Sequence, residues 1–379
     1  MNQTQLRQQP KRIIISGGGT GGHIFPAISI ANALKKKDSS IEILFVGAIG
    51  KMEMEKVPAA GYKITGLPVA GFHRRLTLKN LTFFFKLFAS MMKARKVIKE
   101  FKPDAAVGVG GYASGPVLRV ACSRNIPTVI QEQNSYPGVT NKILAKKADK
   151  ICVAYEGMEK YFPAEKIIIT GNPVRQDIIE HINIEKAYEH FQVTGNRKVL
   201  LIVGGSLGAR TINESICANL DFLLREKIQV IWQTGKSFFN QAKNEITQYA
   251  TQDIKVFEFI TRMDYAFVIA DIVISRAGAS TISELCLVHK PAILVPSPNV
   301  AEDHQTKNAM ALVNKNAALM VTDAEAREKL VNEAIKLIND DFTKNTFNQN
   351  IAKMAYKNSA DIIADEILKL IEEKKRHAV

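Results

Sequence analysis

The chain has no cysteine pair, no recognisable metal motif and no long apolar run. Each absence removes a class of protein. Its four cysteines, Cys122, Cys152, Cys217 and Cys286, form no C-x-x-C pair and sit in apolar contexts. They read as buried free thiols in a reducing compartment, not as a disulfide framework or zinc site. No uncharged apolar run reaches the ~18 residues that span a bilayer. Met1–Pro10 is polar and a strand follows it, so no signal peptide is visible and a cytoplasmic location is expected. Asp-x-Asp and H-E-x-x-H are both missing. The glycine turn Gly204–Ala209 carries no Walker lysine, which argues against ATP hydrolysis.

Acidic residues are scarce in one half only. Residues 1–175 hold 27 Lys+Arg against 11 Asp+Glu, whereas the remainder holds 24 against 26. The whole formal excess of +14 therefore lies in the N-terminal half. An anionic partner is expected there: nucleic acid, anionic lipid or a phosphorylated substrate.

Two glycine-rich turns stand about half a chain apart. Arg12–Ser16 runs into Gly17-Gly18-Gly19-Thr20-Gly21-Gly22-His23, and Val199–Val203 runs into Gly204-Gly205-Ser206-Leu207-Gly208-Ala209. Each is a buried-strand pattern that breaks into glycines and then enters a helix-like stretch. Backbone N–H groups at such a helix start can hold a phosphate. Further strand-like runs are Glu42–Val46, Ala105–Val109, Thr128–Gln131, Lys150–Ala154 and Ile167–Thr170. In the second half they are Gln229–Gln233, Lys255–Phe257, Ile272–Ser275 and Ala292–Val295. Many are apolar throughout, as parallel strands covered on both faces are. The pattern predicts an α/β fold of two Rossmann-like, doubly wound domains facing a central cleft. The boundary is placed at Gly171–Arg175, giving domains 1–175 and 176–358, with an amphipathic closing helix over 359–379.

Gly17, Gly19 and Gly22 satisfy G-x-G-x-x-G. The second strand, however, ends in Val46-Gly47-Ala48 without the carboxylate that holds a dinucleotide ribose, which argues against NAD. His23 follows the glycines at a helix start, where a neutral ring able to accept a proton is favoured. It reads as a general base or as a turn cap; spacing alone leaves both open. Ser206 is a phosphate donor or a helix cap. Ser280 and Thr281 open another helix after a turn at Gly278. Glu284, one turn in, suits a ribose diol or, on residues alone, a capping carboxylate. Between Gly71 and Lys102, large apolar residues alternate with basic ones. Phe72, Leu76, Leu81, Phe84, Phe85 and Phe88 mix with Arg74, Arg75, Lys79 and Lys86, which suits an anionic bilayer surface. Lys96–Lys102 reads instead as the solvated face of a core helix.

Taken in order, Gly17–His23 with Phe25-Pro26, Gly108–Gly115, Glu132-Gln133-Asn134, Gly171–Arg175, Gly204–Ala209, Ala277–Glu284, and Gln305 with Asn308-Ala309 resemble the MurG family (glycosyltransferase family 28). The resemblance implies a GT-B fold and inverting transfer of N-acetylglucosamine (GlcNAc) from UDP-GlcNAc to the MurNAc 4-hydroxyl of lipid I, giving β-1,4-linked lipid II. It implies His23 as candidate base, with Thr20, Gly21, Gly22, Tyr112, Glu132 and Asn134 among the substrate contacts. On the nucleotide-sugar side it implies Arg175, Ser206, the Ile260 backbone, Ala279, Ser280, Thr281, Glu284, His304 and Gln305. It implies no cofactor or required metal, no nucleic acid, and a peripheral place on the cytoplasmic face of the bacterial membrane. Anionic lipid of that leaflet and cell-wall synthesis proteins are the implied partners. Two positions depart from the common pattern: Leu207 and His304 stand where glutamine is usual. The competing readings are a dinucleotide oxidoreductase, a non-catalytic membrane or nucleic-acid binder, and a GT-B transferase acting on another glycolipid such as diacylglycerol.

Overall fold

The computed structural model describes residues 9–69, 79–174, 178, 182–205, 208–249 and 251–377. The chain forms two compact units, Met1–Val174 with Asn358–Val379, and Arg175–Lys357.

The first unit runs β1 (Arg12–Ser16), α1 (Gly21–Lys37), β2 (Glu42–Ala48), α2 (Glu53–Ala59), β3 (Lys63–Leu67), α3 (Lys79–Phe101), β4 (Ala105–Gly108), α4 (Ser114–Ser123), β5 (Thr128–Glu132), α5 (Val139–Ala145), β6 (Lys150–Val153) and β7 (Ile167–Ile169). Its seven parallel strands lie in the order β3-β2-β1-β4-β5-β6-β7. The second unit runs α6 (Ile184–Phe191), β8 (Val199–Val203), α7 (Arg210–Cys217), α8 (Leu220–Arg225), β9 (Gln229–Gln233), α9 (Phe239–Thr247), β10 (Ile254–Phe257), α10 (Met263–Ile269), β11 (Ile272–Ser275), α11 (Ala279–Val288), β12 (Ala292–Leu294), α12 (His304–Val313), β13 (Leu319–Met320), α13 (Ala326–Asn339) and α14 (Asp341–Ala352). Its parallel sheet has the order β10-β9-β8-β11-β12-β13. Both sheets are Rossmann-like, and the central strands are buried end to end because helices cover both faces.

Strands β3 and β13 escape the sequence reading. Both are edge strands. β3 mixes Lys63, Thr65 and Gly66 with apolar residues and is half-buried, and β13 is two residues long. Neither offers the unbroken apolar run that marks a central strand.

The last helix, α15 (Ser359–His377), belongs to the first unit and not to the second, which precedes it. Its Ile363, Ala364, Ile367, Leu370 and Ile371 join a core with Ile13, Ile15, Ile24, Ile30 and Leu34 from β1 and α1. Ion pairs Lys11–Glu372, Lys37–Asp365, Lys375–Asp104 and Lys374–Asp149 flank that seam. All four are partly solvated, so apolar burial dominates the docking. Ile367→Val, removing one buried methyl group, is expected to destabilise the first unit by about 1 kcal/mol. Hydrogen exchange should detect the loss in β1 and α1 and leave β8 and β11 unchanged.

All four cysteines are free thiols. Burial pushes Cys152 and Cys286 up to about 12, so both stay protonated and unreactive at neutral pH.

Candidate active site

In a doubly wound sheet, ligands bind beyond the carboxyl ends of the strands where the strand order reverses. In the first unit that point lies between β1 and β4. Both strands end there in glycine turns, and the turns touch backbone to backbone. A Cβ on Gly111 would stand 2.3 Å from the Gly18 carbonyl oxygen, and one on Gly17 would stand 2.2 Å from Val109 Cγ2. Gly18, Gly19, Gly110 and Gly111 all have φ between +81° and +148°, a region closed to most side chains.

His23 lies in the first turn of α1. Its Nδ1 is 3.0 Å from the Gly18 carbonyl oxygen and 3.3 Å from Thr20 Oγ1. A carbonyl can only accept, so Nδ1 carries the proton and donates it. In the neutral ring Nε2 is then the basic nitrogen. The Cδ2–Nε2 edge lies over Gly110, where a Cβ would come within 2.8 Å of the ring. Thr20 precedes the helix without a side-chain cap bond, although its carbonyl accepts the His23 and Ile24 N–H groups. Gly21 and Gly22 form the start of the helix, and Tyr112 is 57% exposed beside the β4 turn.

Glu132 closes β5. Only 1% of it is exposed, and its carboxylate accepts from the Asn134 N–H and Nδ2, the Gly138 N–H and Asn141 Nδ2. This corrects its expected role as a substrate contact. The carboxylate is enclosed by the loop it organises, and two of its bonds hold Asn134. Gln131 and Gln133 are also buried. Gln133 Nε2 donates to the Val109 carbonyl, and Asn172 donates to the Gln133 carbonyl while accepting from Gln131. The Gly171-Asn172-Pro173 turn is thus pinned to the ends of β4 and β5, a network that the sequence reading missed. The Glu132-Gln133-Asn134 and Gly171–Arg175 motifs could be read singly, but nothing in their spacing marks them as partners.

In the second unit the order reverses between β8 and β11. The turn after β8 packs on the end of β9, where a Cβ on Gly208 would lie 2.3 Å from the Thr234 carbonyl oxygen. The turn after β11 leads through Gly278 into α11, with Ala279, Ser280 and Thr281 in its first turn and Glu284 one turn on. Ser280 Oγ is buried, and among the described residues no group bonds to it. Arg276 donates to the Val295 and Pro296 carbonyls and to Asp323 at 2.5 Å; Asp323 also accepts from Thr211 in α7. These bonds tie the turns after β8, β11 and β12 into one frame, another feature absent from the sequence reading.

Ile260 is buried, and its N–H donates to Gln233 Oε1 at 2.8 Å. That narrows the expected backbone contact: with the N–H engaged, the carbonyl is left for a ligand donor. His304 opens α12, and next to it Gln305 Oε1 accepts the Ser297 N–H, which leaves the Nε2 amide to donate. Glu302 and Asp303, immediately before, both have left-handed backbones (φ 57° and 51°).

In α3, Phe85, Lys86, Leu87, Phe88 and Met92 are exposed, with Phe85 72% and Phe88 67% exposed. Ala94, Val97 and Ile98 turn inward to the sheet. Lys79, Leu81 and Phe84 belong to the same helix, but their side chains lie outside the described residues, as do Phe72, Arg74, Arg75 and Leu76. Arg175 and Ser206 lie outside them too. Among the described residues no helix is long and apolar enough to cross a membrane, and no three His, Cys, Asp or Glu side chains are grouped to hold a metal ion.

Residues 13–153 match the glycosyltransferase family 28 N-terminal domain, and residues 199–367 match the family 28 C-terminal domain. A Parabacteroides distasonis UDP-N-acetylglucosamine–N-acetylmuramyl-(pentapeptide) pyrophosphoryl-undecaprenol N-acetylglucosamine transferase is 60% identical, across 96% of this chain and 99% of its own length. The enzyme of that name from Phocaeicola vulgatus is 58% identical, across 96% and 98%. Among solved structures, Acinetobacter baumannii MurG superposes with a TM-score of 0.78 at 26% identity, covering 95% of this chain and 100% of its own. With both domains matched in order and the fold shared, the chain belongs to glycosyltransferase family 28.

Proposed function

We propose that this protein is a hexosyltransferase of peptidoglycan synthesis. It moves GlcNAc from UDP-GlcNAc to the 4-hydroxyl of MurNAc in lipid I, with inversion, to give β-1,4-linked lipid II. The observation that carries the reading is the near full-length identity to transferases of that name, joined to a glycine turn at each sheet's switch point.

The second unit takes the donor. The N-terminus of α11 and the Ser280 hydroxyl suit the diphosphate, because aligned amides and an unpartnered buried hydroxyl both favour an anion. Arg175 and Ser206 add to that side, Glu284 takes the ribose diol, the Ile260 carbonyl takes the uracil imide, and the Gln305 amide with His304 meets the sugar. No metal is needed to neutralise the leaving diphosphate when amides, hydroxyls and an arginine do so. Glu284→Ala is expected to weaken UDP binding by about 1–3 kcal/mol, the range for hydrogen bonds to a charged group. Unchanged affinity by calorimetry would remove the ribose role.

The first unit takes the acceptor. Asn134, Tyr112 and the amides of Thr20, Gly21 and Gly22 at the start of α1 line its switch point, and His23 Nε2 removes the hydroxyl proton as the oxygen attacks the anomeric carbon and the bond from that carbon to UDP breaks. The exposed Phe85–Met92 face docks on anionic lipid of the cytoplasmic leaflet, where apolar insertion and lysine attraction act together. Phe85→Asp with Phe88→Asp is expected to abolish flotation with phosphatidylglycerol vesicles. Full flotation of the double variant would move the membrane contact elsewhere.

UDP release from UDP-GlcNAc tests the reading as a whole. Release should require a lipid I analogue and survive EDTA. Release without acceptor would point to a hydrolase, and loss in EDTA would restore a metal.

A further inference from the structure

Glu53 is a buried carboxylate for which the reaction so far has no use. It is the first residue of α2, is 1% exposed, and among the described residues forms no ion pair. Its two oxygens accept from two backbone amides, Oε1 from Ala48 at 2.8 Å and Oε2 from Gly19 at 2.9 Å. Two glycines exist to admit it. A Cβ on Gly18 would lie 2.3 Å from the Glu53 carboxyl carbon, and one on Gly47 would lie 2.5 Å from Glu53 Cγ.

The Gly19 N–H and the Gly18 C=O are the two ends of one planar peptide group. Glu53 holds the N–H end, and His23 Nδ1 donates to the C=O end at 3.0 Å. Carboxylate, peptide and imidazole therefore form a continuous hydrogen-bonded line. Hydrogen bonds in such a chain polarise one another: a carboxylate on the N–H makes the carbonyl a stronger acceptor.

We propose that Glu53 is a positioning residue for the transfer reaction, fixing the Gly18–Gly19 peptide so that its carbonyl holds the His23 proton on Nδ1 and directs Nε2 at the acceptor hydroxyl. The proposal rests on the reading of His23 as base. When Nε2 takes the hydroxyl proton, the positive ring is stabilised through the peptide by the buried negative charge. No side-chain carboxylate needs to touch the ring. The same bond engages the Gly19 amide, so an acceptor diphosphate is directed away from the glycine turn towards the start of α1 at Gly21 and Gly22.

Glu53→Gln keeps the shape, removes the charge, and sets an NH2 against one of the two amides. It is expected to lower kcat about 10- to 100-fold, the scale for losing a histidine's orienting partner, with UDP-GlcNAc affinity unchanged. The acidic limb of the kcat profile should move to lower pH, because removing a negative charge disfavours the protonated ring. A merely structural role would not move that limb. His23→Ala is measured alongside. If it is inactive while Glu53→Gln keeps full kcat and an unshifted profile, the positioning role is overturned and the base reading stands. If His23→Ala turns over normally, the base reading itself falls. Should Glu53→Gln not fold, nuclear magnetic resonance of the wild-type protein reads both links. A slowly exchanging Gly19 amide and a ring protonated on Nδ1 support the proposal; a fast amide or an Nε2-protonated ring overturns it.

Discussion

His23→Ala is expected to lower kcat by about 10²–10⁴-fold, the usual contribution of a positioned general base, while UDP-GlcNAc still binds. The geometry separates the two effects. His23 stands on α1 in the first unit, against the Gly18 carbonyl and Gly110, whereas the residues proposed for the donor, among them Ser280, Glu284 and Gln305, stand on α11 and α12 in the second. On the proposed reading, removing the imidazole deletes the acceptor for the hydroxyl proton and leaves the proposed UDP contacts of the second unit in place. A histidine that only capped the turn would predict otherwise: a small stability loss with kcat nearly intact. A third outcome, loss of acceptor affinity with kcat preserved, would make His23 a diphosphate ligand. Steady-state kinetics at saturating donor, with calorimetry for UDP, distinguish all three.

Gly111→Ala is expected to be the most disruptive single methyl group in the first unit. Two costs add. A left-handed backbone at φ +81° costs a non-glycine residue about 1–2 kcal/mol. The new Cβ would also lie 2.3 Å from the Gly18 carbonyl oxygen, and a backbone atom cannot rotate away as a side chain can. Overpacking of that kind costs a further 1–3 kcal/mol or more. Relief requires the two glycine turns to part, which would move the carbonyl that holds His23. Activity should therefore fall further than stability alone requires. Gly50→Ala is the control: its φ is +72°, but nothing lies within 4 Å of its Cβ, so only the backbone cost applies. Chemical denaturation and transfer assays on the two variants separate strain from collision. Equal effects would mean the turns are not in contact as described.

Much of this was legible in the sequence because parallel central strands write plainly. Val199–Val203 is apolar across its length, Gln229–Gln233 and Ile272–Ser275 have β-branched or aromatic centres, and the structure has all three at those limits. Of the four edge strands, Ile167–Ile169 and Ile254–Phe257 carry apolar runs that could be read, whereas Lys63–Leu67, mixed in character, and Leu319–Met320, two residues long, could not. The site divides in the same way. Glycine turns, a histidine after glycines and a serine–threonine helix start are local signals and could be read. Glu53, Gln133 and Arg276 act through backbone groups distant in sequence, Gly19 for Glu53, Val109 for Gln133 and Val295 for Arg276, and Gln131 and Asp323 act through side chains equally distant. No spacing rule marks a side chain whose partner is a distant peptide. Glu132 shows the converse: it lies in a legible motif, yet its carboxylate faces its own loop. The missing ribose carboxylate after β2 gains a physical explanation as well. The nearest acid, Glu53, is turned inward onto the first glycine turn, against the place where a dinucleotide pyrophosphate would approach.

The most direct test of the central claim is transfer of labelled GlcNAc from UDP-GlcNAc in a mixture of a short-chain lipid I analogue and diacylglycerol. The account predicts label on the lipid I analogue alone, in a β-1,4 linkage to MurNAc. Label on diacylglycerol, or on neither acceptor while UDP-GlcNAc binds, would contradict it: the donor half would stand and the acceptor assignment would be wrong.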